Sequence, residues 1–189
     1  MINLINRYKL LLGIGGYAGA GKDAVADIIE DSNMWYRTFM SKPLLQAMTV
    51  LNPYVKDNYS HSYIRFVDLV NLKGYTEAKK NEEVRRLLQI FGTEVGRELI
   101  DPDIWTKQIH KEVKSILDTG ISVVVTGIRF PNEMRYINNA GGVTLWIERP
   151  GYGPVNSHSS DNTLSVDDFD YIIYNDGTLE ELKQKVLEL

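Results

Sequence analysis

The stretch GYAGAGKD, Gly16-Tyr17-Ala18-Gly19-Ala20-Gly21-Lys22-Asp23, decides how this chain is read. Its spacing is G-x-x-x-x-G-K, with Asp23 where a serine or threonine is usual. Glycines let a backbone wrap closely round an anion with its N–H groups turned inward. A helix that starts at the end of such a turn adds its positive pole. Lys22 supplies a mobile cation for the β- and γ-phosphates of a nucleotide. In isolation, a flexible glycine turn with a surface lysine would look the same. The flanks separate the two. Tyr8 to Ile14 is a short apolar run that reads as a buried strand, and Lys22 to Asp31, with Ala24, Val25, Ile28 and Ile29 at helical spacing, reads as a helix. Strand, glycine turn, helix is the context this chemistry demands.

Asp23 is the odd member of the motif. A carboxylate is attracted to a helix N-terminus but repelled by a triphosphate. The conflict eases if Asp23 reaches a metal ion, directly or through water, or accepts a proton from the phosphoryl acceptor.

Outward from the motif, strands and helices alternate. Further strands are predicted at Trp35–Met40, Ile121–Thr126, Val143–Ile147 and Tyr171–Tyr174, and Val123, Val124 and Val125 mark the clearest buried one. Helices are predicted at Leu44–Leu51 (with Ser41 capping and Pro43 in the first turn), Tyr63–Leu72, Glu82–Leu99, Ile104–Leu117, Asn132–Asn139 and Leu179–Leu187. Gly92 and Gly96 predict a break in the long helix. Asn52 to Ser62 reads as a loop, as does Pro150 to Asn162. The pattern is that of an α/β protein, with a mostly parallel sheet and helices on both faces. Such sheets bind ligands beyond the carboxyl ends of their strands. The 189 residues fit a single domain.

Composition narrows the function. The net charge is -4, so a grip on polymeric nucleic acid, which needs a basic excess, is not expected; a small nucleotide needs only a local basic pocket. Without cysteine there is no disulfide and no cysteine-ligated zinc. Neither a signal-peptide pattern nor a membrane-length apolar stretch is read, which predicts a cytoplasmic protein without a membrane partner.

Other residues carry weaker signals. Arg85, Gln89, Gly92 and Thr93 are three or four apart and share a helix face. Beside Arg86 they could hold a phosphate and a base edge, although a solvated face balanced by Glu82, Glu83 and Glu94 fits the periodicity as well. Arg129 and Arg149 follow two predicted strands, at the rim where phosphoryl transfer would need cations. His61, His110 and His158 share no metal-binding spacing. Trp105 and Trp146 read as core.

Taken together, these motifs resemble the deoxynucleoside monophosphate kinases of tailed bacteriophages. Val84-Arg85-Arg86-Leu87-Leu88-Gln89 with Gly92-Thr93-Glu94 is similar to that family's Arg-Arg-Leu-x-Gln-x-x-Gly-Thr helix. Trp105 falls at its tryptophan position, and Arg129 with Glu133 at its Arg-x-x-x-Glu segment. Arg149-Pro150-Gly151 is similar to the start of its lid, His158 to the lid histidine, and Asn175 to Leu182 to its closing segment. Matches run from about Leu11 to the C-terminus and are weakest between Pro53 and Asn81.

The resemblance implies a three-layer P-loop kinase fold with a mobile lid at about 150–162 and an acceptor-side insertion at about 52–81. It implies ATP as phosphoryl donor, with Mg²⁺ held at Asp23. Lys22, Asp23, Arg129 and Arg149 become the catalytic set, and Gly16, Tyr17, Ala18, Gly19, Ala20, Gly21, Lys22, Asp23 and Ala24 the donor-binding set. Lys42, Arg65, Arg85, Arg86, Gln89, Gly92, Thr93, Trp105 and Glu133 become the acceptor-binding set. The partners are small-molecule nucleotides, with a homodimer left open. One departure is visible. Gly127 stands where the family has an Asp two residues before Arg129, which moves metal handling onto Asp23 or Glu133. Two other readings stay open: a P-loop kinase with another acceptor, such as dephospho-coenzyme A, and a nucleotide-binding module without catalysis.

Overall fold

The computed structural model describes residues 5, 9–32, 34–56, 62–153 and 163–189. They form two compact units, residues 1–40 with 109–189, and residues 41–108.

The first unit is built on a five-stranded sheet of β1 (Leu11–Gly15), β2 (Trp35–Phe39), β5 (Ser122–Ile128), β6 (Val143–Glu148) and β7 (Tyr171–Tyr174), in the order β2-β5-β1-β6-β7. Every pairing is parallel. Successive side chains of a strand point to opposite faces, and both faces of β1 are used. Leu12 and Ile14 join Val124, Leu145 and Ile147 beneath α1 (Lys22–Asp31) and α8 (Leu179–Leu187), which contribute Val25, Ala26, Ile29, Leu182 and Val186. Leu11 faces the other way, with Val123, Val125 and Trp146. It packs with Ile109 and Val113 of α6 (Ile104–Asp118) and with Met134 and Ile137 of α7 (Pro131–Asn139). Helices thus cover both faces, and the three-layer α/β architecture expected from the alternation of elements is present.

β1 lies at the centre of the sheet, between β5 and β6. The chain leaves it toward β2 on one side and later fills β6 and β7 on the other. At such a reversal of strand order a crevice opens beyond the carboxyl ends of the strands. Three strand ends meet there: Gly15, Ile128 and Glu148.

The second unit begins with α2 (Lys42–Leu51), whose Pro43 lies in the first turn as expected; Ser41 precedes it but makes no side-chain cap. The stretch expected to be a loop carries instead the strand β3 (Tyr54–Lys56), paired antiparallel with β4 (Tyr63–Arg65). The helix expected from Tyr63 therefore starts later, as α3 (Phe66–Lys73). Three-residue strands are too short for their alternation to show in sequence. After α4 (Tyr75–Ala78) comes α5 (Glu82–Gln89), capped by the Asn81 side chain, which accepts from Glu83 N at 2.9 Å and Val84 N at 3.1 Å. A π-helix, Ile90–Ile100, continues it without a break. Leu44, Met48, Val55, Phe66, Leu69, Val84 and Trp105 form this unit's own core, so it extends beyond the 52–81 insertion read from the sequence. Among the described residues no helix is long and apolar enough to cross a membrane.

Candidate active site

The turn after β1 is held in shape by contacts from β6, β7 and its own lysine. Gly16 has φ +136°, and a Cβ there would lie 2.6 Å from the Ile147 carbonyl oxygen. Gly21, the residue before α1, has φ +99°, and its Cβ would lie 2.5 Å from Asn175 Nδ2. Neither position admits a side chain. Asn175 Nδ2 donates to the Ala20 carbonyl at 2.9 Å and locks the turn to the end of β7. Gly21 makes no side-chain cap on α1, whose first turn carries the positive helix pole. The Lys22 ammonium reaches back over the turn and donates to the carbonyls of Gly16 at 2.7 Å and Tyr17 at 2.6 Å. The turn is thus closed by its own lysine.

The rim comes from β5 and β6. Arg149 follows β6, and its Nη1 donates to the Gly19 carbonyl at 3.1 Å. A turn closed by Tyr152 N on the Arg149 carbonyl brings the Tyr152 ring beneath the guanidinium, 4.7 Å away. That ring covers Gly19, where a Cβ would meet it at 2.6 Å. Arg129, exposed at the end of β5, lines a shallow pocket with Gly16, Tyr17, Ala18 and Trp146. The pocket floor is aromatic. Tyr17 meets Trp146 edge-on at 5.2 Å, and Trp146 rests on Phe169 at 5.0 Å. Trp146 is core, as read from sequence.

Glu133 is 3% exposed and shapes this rim from behind. Its Oε2 accepts the backbone N–H of Arg129 at 2.7 Å and of Phe130 at 3.1 Å, fixing the turn that carries Arg129. This is the carboxylate expected at the acceptor. Gly127 is explained by the same strand end. Ile14 pairs with Thr126 and Gly15 with Ile128, so residue 127 is bulged out of the ladder, at φ +83°. A side chain there is strained, and glycine is the residue such a bulge favours.

Asp23 is held by a residue the sequence reading missed. Arg37 Nη2 lies 2.6 Å from Asp23 Oδ1, and Arg37 Nη1 contacts Asp27. Nothing in the segment Trp35–Phe39 singles out its arginine; the pairing of strand and helix creates the contact. Tyr152 and Asn175 were likewise not read as contacts of the glycine turn.

In the second unit the acceptor candidates divide. Arg85 is exposed and makes no ion pair among the described residues. Arg86 is committed to Glu83 through bonds of 2.9 and 2.7 Å, and that hydrogen-bonded guanidinium lowers the Glu83 pKa. Arg65 donates to the Asn52 carbonyl at 2.9 Å and stacks on Tyr54, 3.9 Å from the ring centre. Lys42 opens α2 and is half-buried. Trp105 is buried, and its Nε1 donates to the Gly92 carbonyl at 2.8 Å.

Gly92 and Gly96 do not end the helix. They make room: a Cβ at Gly92 would lie 3.0 Å from Leu44, and one at Gly96 2.6 Å from Trp105 and 2.9 Å from the Phe91 carbonyl oxygen. Between Gln89 and Thr93 the winding changes from α to π. In an α-helix a step of four residues overshoots a full turn by about 40°. In a π-helix, whose bonds span five residues, the same step falls short of a turn. The two drifts oppose, which returns Thr93 toward the line of Arg85 and Gln89.

The parallel sheet with its glycine nest, lysine and flanking arginines defines a P-loop phosphotransferase, a class that uses ATP as donor. Among known proteins, a putative deoxynucleotide monophosphate kinase of Acanthamoeba polyphaga mimivirus is 24% identical over 94% of both chains. The deoxynucleotide monophosphate kinase of Enterobacteria phage T4 is 30% identical over 64% of this chain, a match spanning 52%, about half, of the phage protein. A solved dephospho-CoA kinase from Campylobacter jejuni superimposes with a TM-score of 0.44 at 15% identity over 94% of each chain. The family model for deoxynucleotide monophosphate kinase matches residues 34–186, and the chain belongs to that family.

Proposed function

We propose that this protein transfers the γ-phosphoryl group of ATP to a deoxynucleoside monophosphate, giving a deoxynucleoside diphosphate and ADP. One observation carries the reading: the turn Gly16–Gly21 is folded as an anion nest, its helix uncapped and its lysine poised over it.

Each group then has a chemical task. The N–H groups of the turn and of the first residues of α1 hold the β- and γ-phosphates. Lys22 exchanges its two carbonyl partners for phosphate oxygens, a stronger, charge-assisted pairing. An oxygen of the acceptor phosphate attacks the γ-phosphorus, the bond to the β–γ bridging oxygen breaks, and ADP departs in line. Charge builds on the equatorial oxygens during transfer, so catalysis is positioning and electrostatic stabilisation. Arg149 stands over the turn and Arg129 beside it to meet that charge. In the second unit, Arg85, exposed and without an ion pair among the described residues, offers a guanidinium suited to a phosphate, with Gln89 and Thr93 beside it for the base or sugar. Lys42 adds a cation to that side.

Mg²⁺ fits the donor set without a dedicated cage. Among the described residues no cluster of three acids or histidines could grip an ion. Mg²⁺ commonly binds through one or two carboxylates plus substrate phosphates and water. Asp23, beside Lys22 with its carboxylate 71% exposed, is the residue that would hold it, and the ion would neutralise phosphate charge there. The lid histidine His158 and residues 154–162 lie outside the described residues.

The test is a coupled ADP-release assay with each deoxynucleoside monophosphate, dephospho-coenzyme A and a no-acceptor control. ADP release that requires a deoxynucleotide is the expected result. Turnover with dephospho-coenzyme A alone would replace the acceptor. ATP protection against melting without ADP from any acceptor would leave a binding module.

A further inference from the structure

Arg37 belongs to none of the motifs that define the site, yet its guanidinium touches the one acidic residue of the phosphate loop. It stands in β2, where its side chain is 26% exposed, and reaches across to α1. Nη2 donates to Asp23 Oδ1 at 2.6 Å, and Nη1 to Asp27 Oδ1. One cation therefore joins two carboxylates four residues apart, a pair that would otherwise repel along the helix. The arrangement answers the conflict at Asp23. Its carboxylate follows Lys22 directly, in the first turn of the helix whose N–H groups receive the phosphates. A polyanionic ligand arriving there meets a like charge. A guanidinium stays charged at any working pH, and its planar fork matches carboxylate geometry.

We infer that Arg37 is a positioning residue of the donor site. It offsets the charge of Asp23, so that the loop keeps an acid next to its lysine without losing affinity for a triphosphate. The inference rests on the donor site proposed above. The bond to Asp27 offers the competing role, a clip between strand and helix with no bearing on nucleotide.

A double-mutant cycle on binding separates the two roles. The dissociation constant of ATP is measured by calorimetry in excess chelator, so that no metal screens the carboxylate, for wild type, Arg37→Gln, Asp23→Asn and the double variant. Arg37→Gln should weaken ATP about tenfold, the order expected for one uncompensated charge a few ångströms from phosphate and partly screened by water. The loss should vanish in the Asp23→Asn background, so that the double variant binds like Asp23→Asn alone. Arg37→Lys should recover part of the affinity, and it carries the same comparison if Arg37→Gln does not fold. Unchanged ATP affinity in Arg37→Gln, or an equal loss with and without Asp23→Asn, overturns the inference while the donor site stands. A wild-type protein that does not bind ATP removes the donor site itself, and the inference with it.

Discussion

The phosphate turn and the helix that carries Arg85 both depend on glycine, for opposite reasons. In the turn, Gly16 and Gly21 are needed for their backbone angles, φ +136° and +99°. In the helix, Gly92 and Gly96 have ordinary helical angles and are needed for space, against Leu44 and Trp105. The first requirement is local and is written in a motif. The second exists only because other elements pack there. Identical residues thus shape the backbone in one region and clear space in the other, where the expected break does not occur.

The largest effect is expected at the turn. Lys22→Ala should lower kcat/KM by about a thousandfold or more, because it removes charge stabilisation and leaves the core untouched. ADP-release kinetics measured beside a melting curve check this; an unchanged rate would take the turn out of the mechanism. Next in size is Gly96→Ala, where the added methyl meets both Trp105 and the Phe91 carbonyl. Overpacking of that kind should cost about 1–3 kcal/mol, read from denaturant unfolding, and a neutral result would mean that the π-winding is not held by this contact. Trp105→Phe sharpens the same point with less damage. It keeps a ring but loses the bond to the Gly92 carbonyl, about 1 kcal/mol. KM for the deoxynucleotide should rise several-fold while KM for ATP stays put. Equal changes in both would assign Trp105 to general stability.

The smallest effect is expected away from both regions and sets the baseline. Burial pushes the Tyr136 hydroxyl up to about 12, and this oxygen has no hydrogen-bond partner among the described residues. The folded state thus holds this proton more tightly than the unfolded chain. The contribution is full below pH 10, the ordinary tyrosine value, and is lost as pH rises from there toward 12. Tyr136→Phe should leave stability at neutral pH nearly unchanged and flatten the alkaline fall. A steep fall in the variant would trace that limb to other groups.

Legibility in the sequence followed the range of the forces involved. β5 was plain because Val123, Val124 and Val125 are buried on both faces and need no alternation. Arg129 and Arg149 were placed at strand ends from spacing alone. Arg65, Arg86, Trp105 and Glu133 were assigned to the acceptor by likeness, and the structure gives each an internal partner. Chemical type alone could not show this, because the same side chain that binds a nucleotide can bind a carbonyl, a carboxylate or a backbone N–H. Arg37 carried no signal at all.

What the sequence by itself determined was the strand–turn–helix around Lys22 and the alternation that builds a parallel sheet. Both follow from backbone angles and hydrophobic period over a few residues. Only the tertiary structure decided that Gly127 sits in a bulge, that the long helix changes winding instead of breaking, and that Asp23 is shared with a strand arginine. Those outcomes depend on which surfaces meet across long stretches of chain, and no local preference records them.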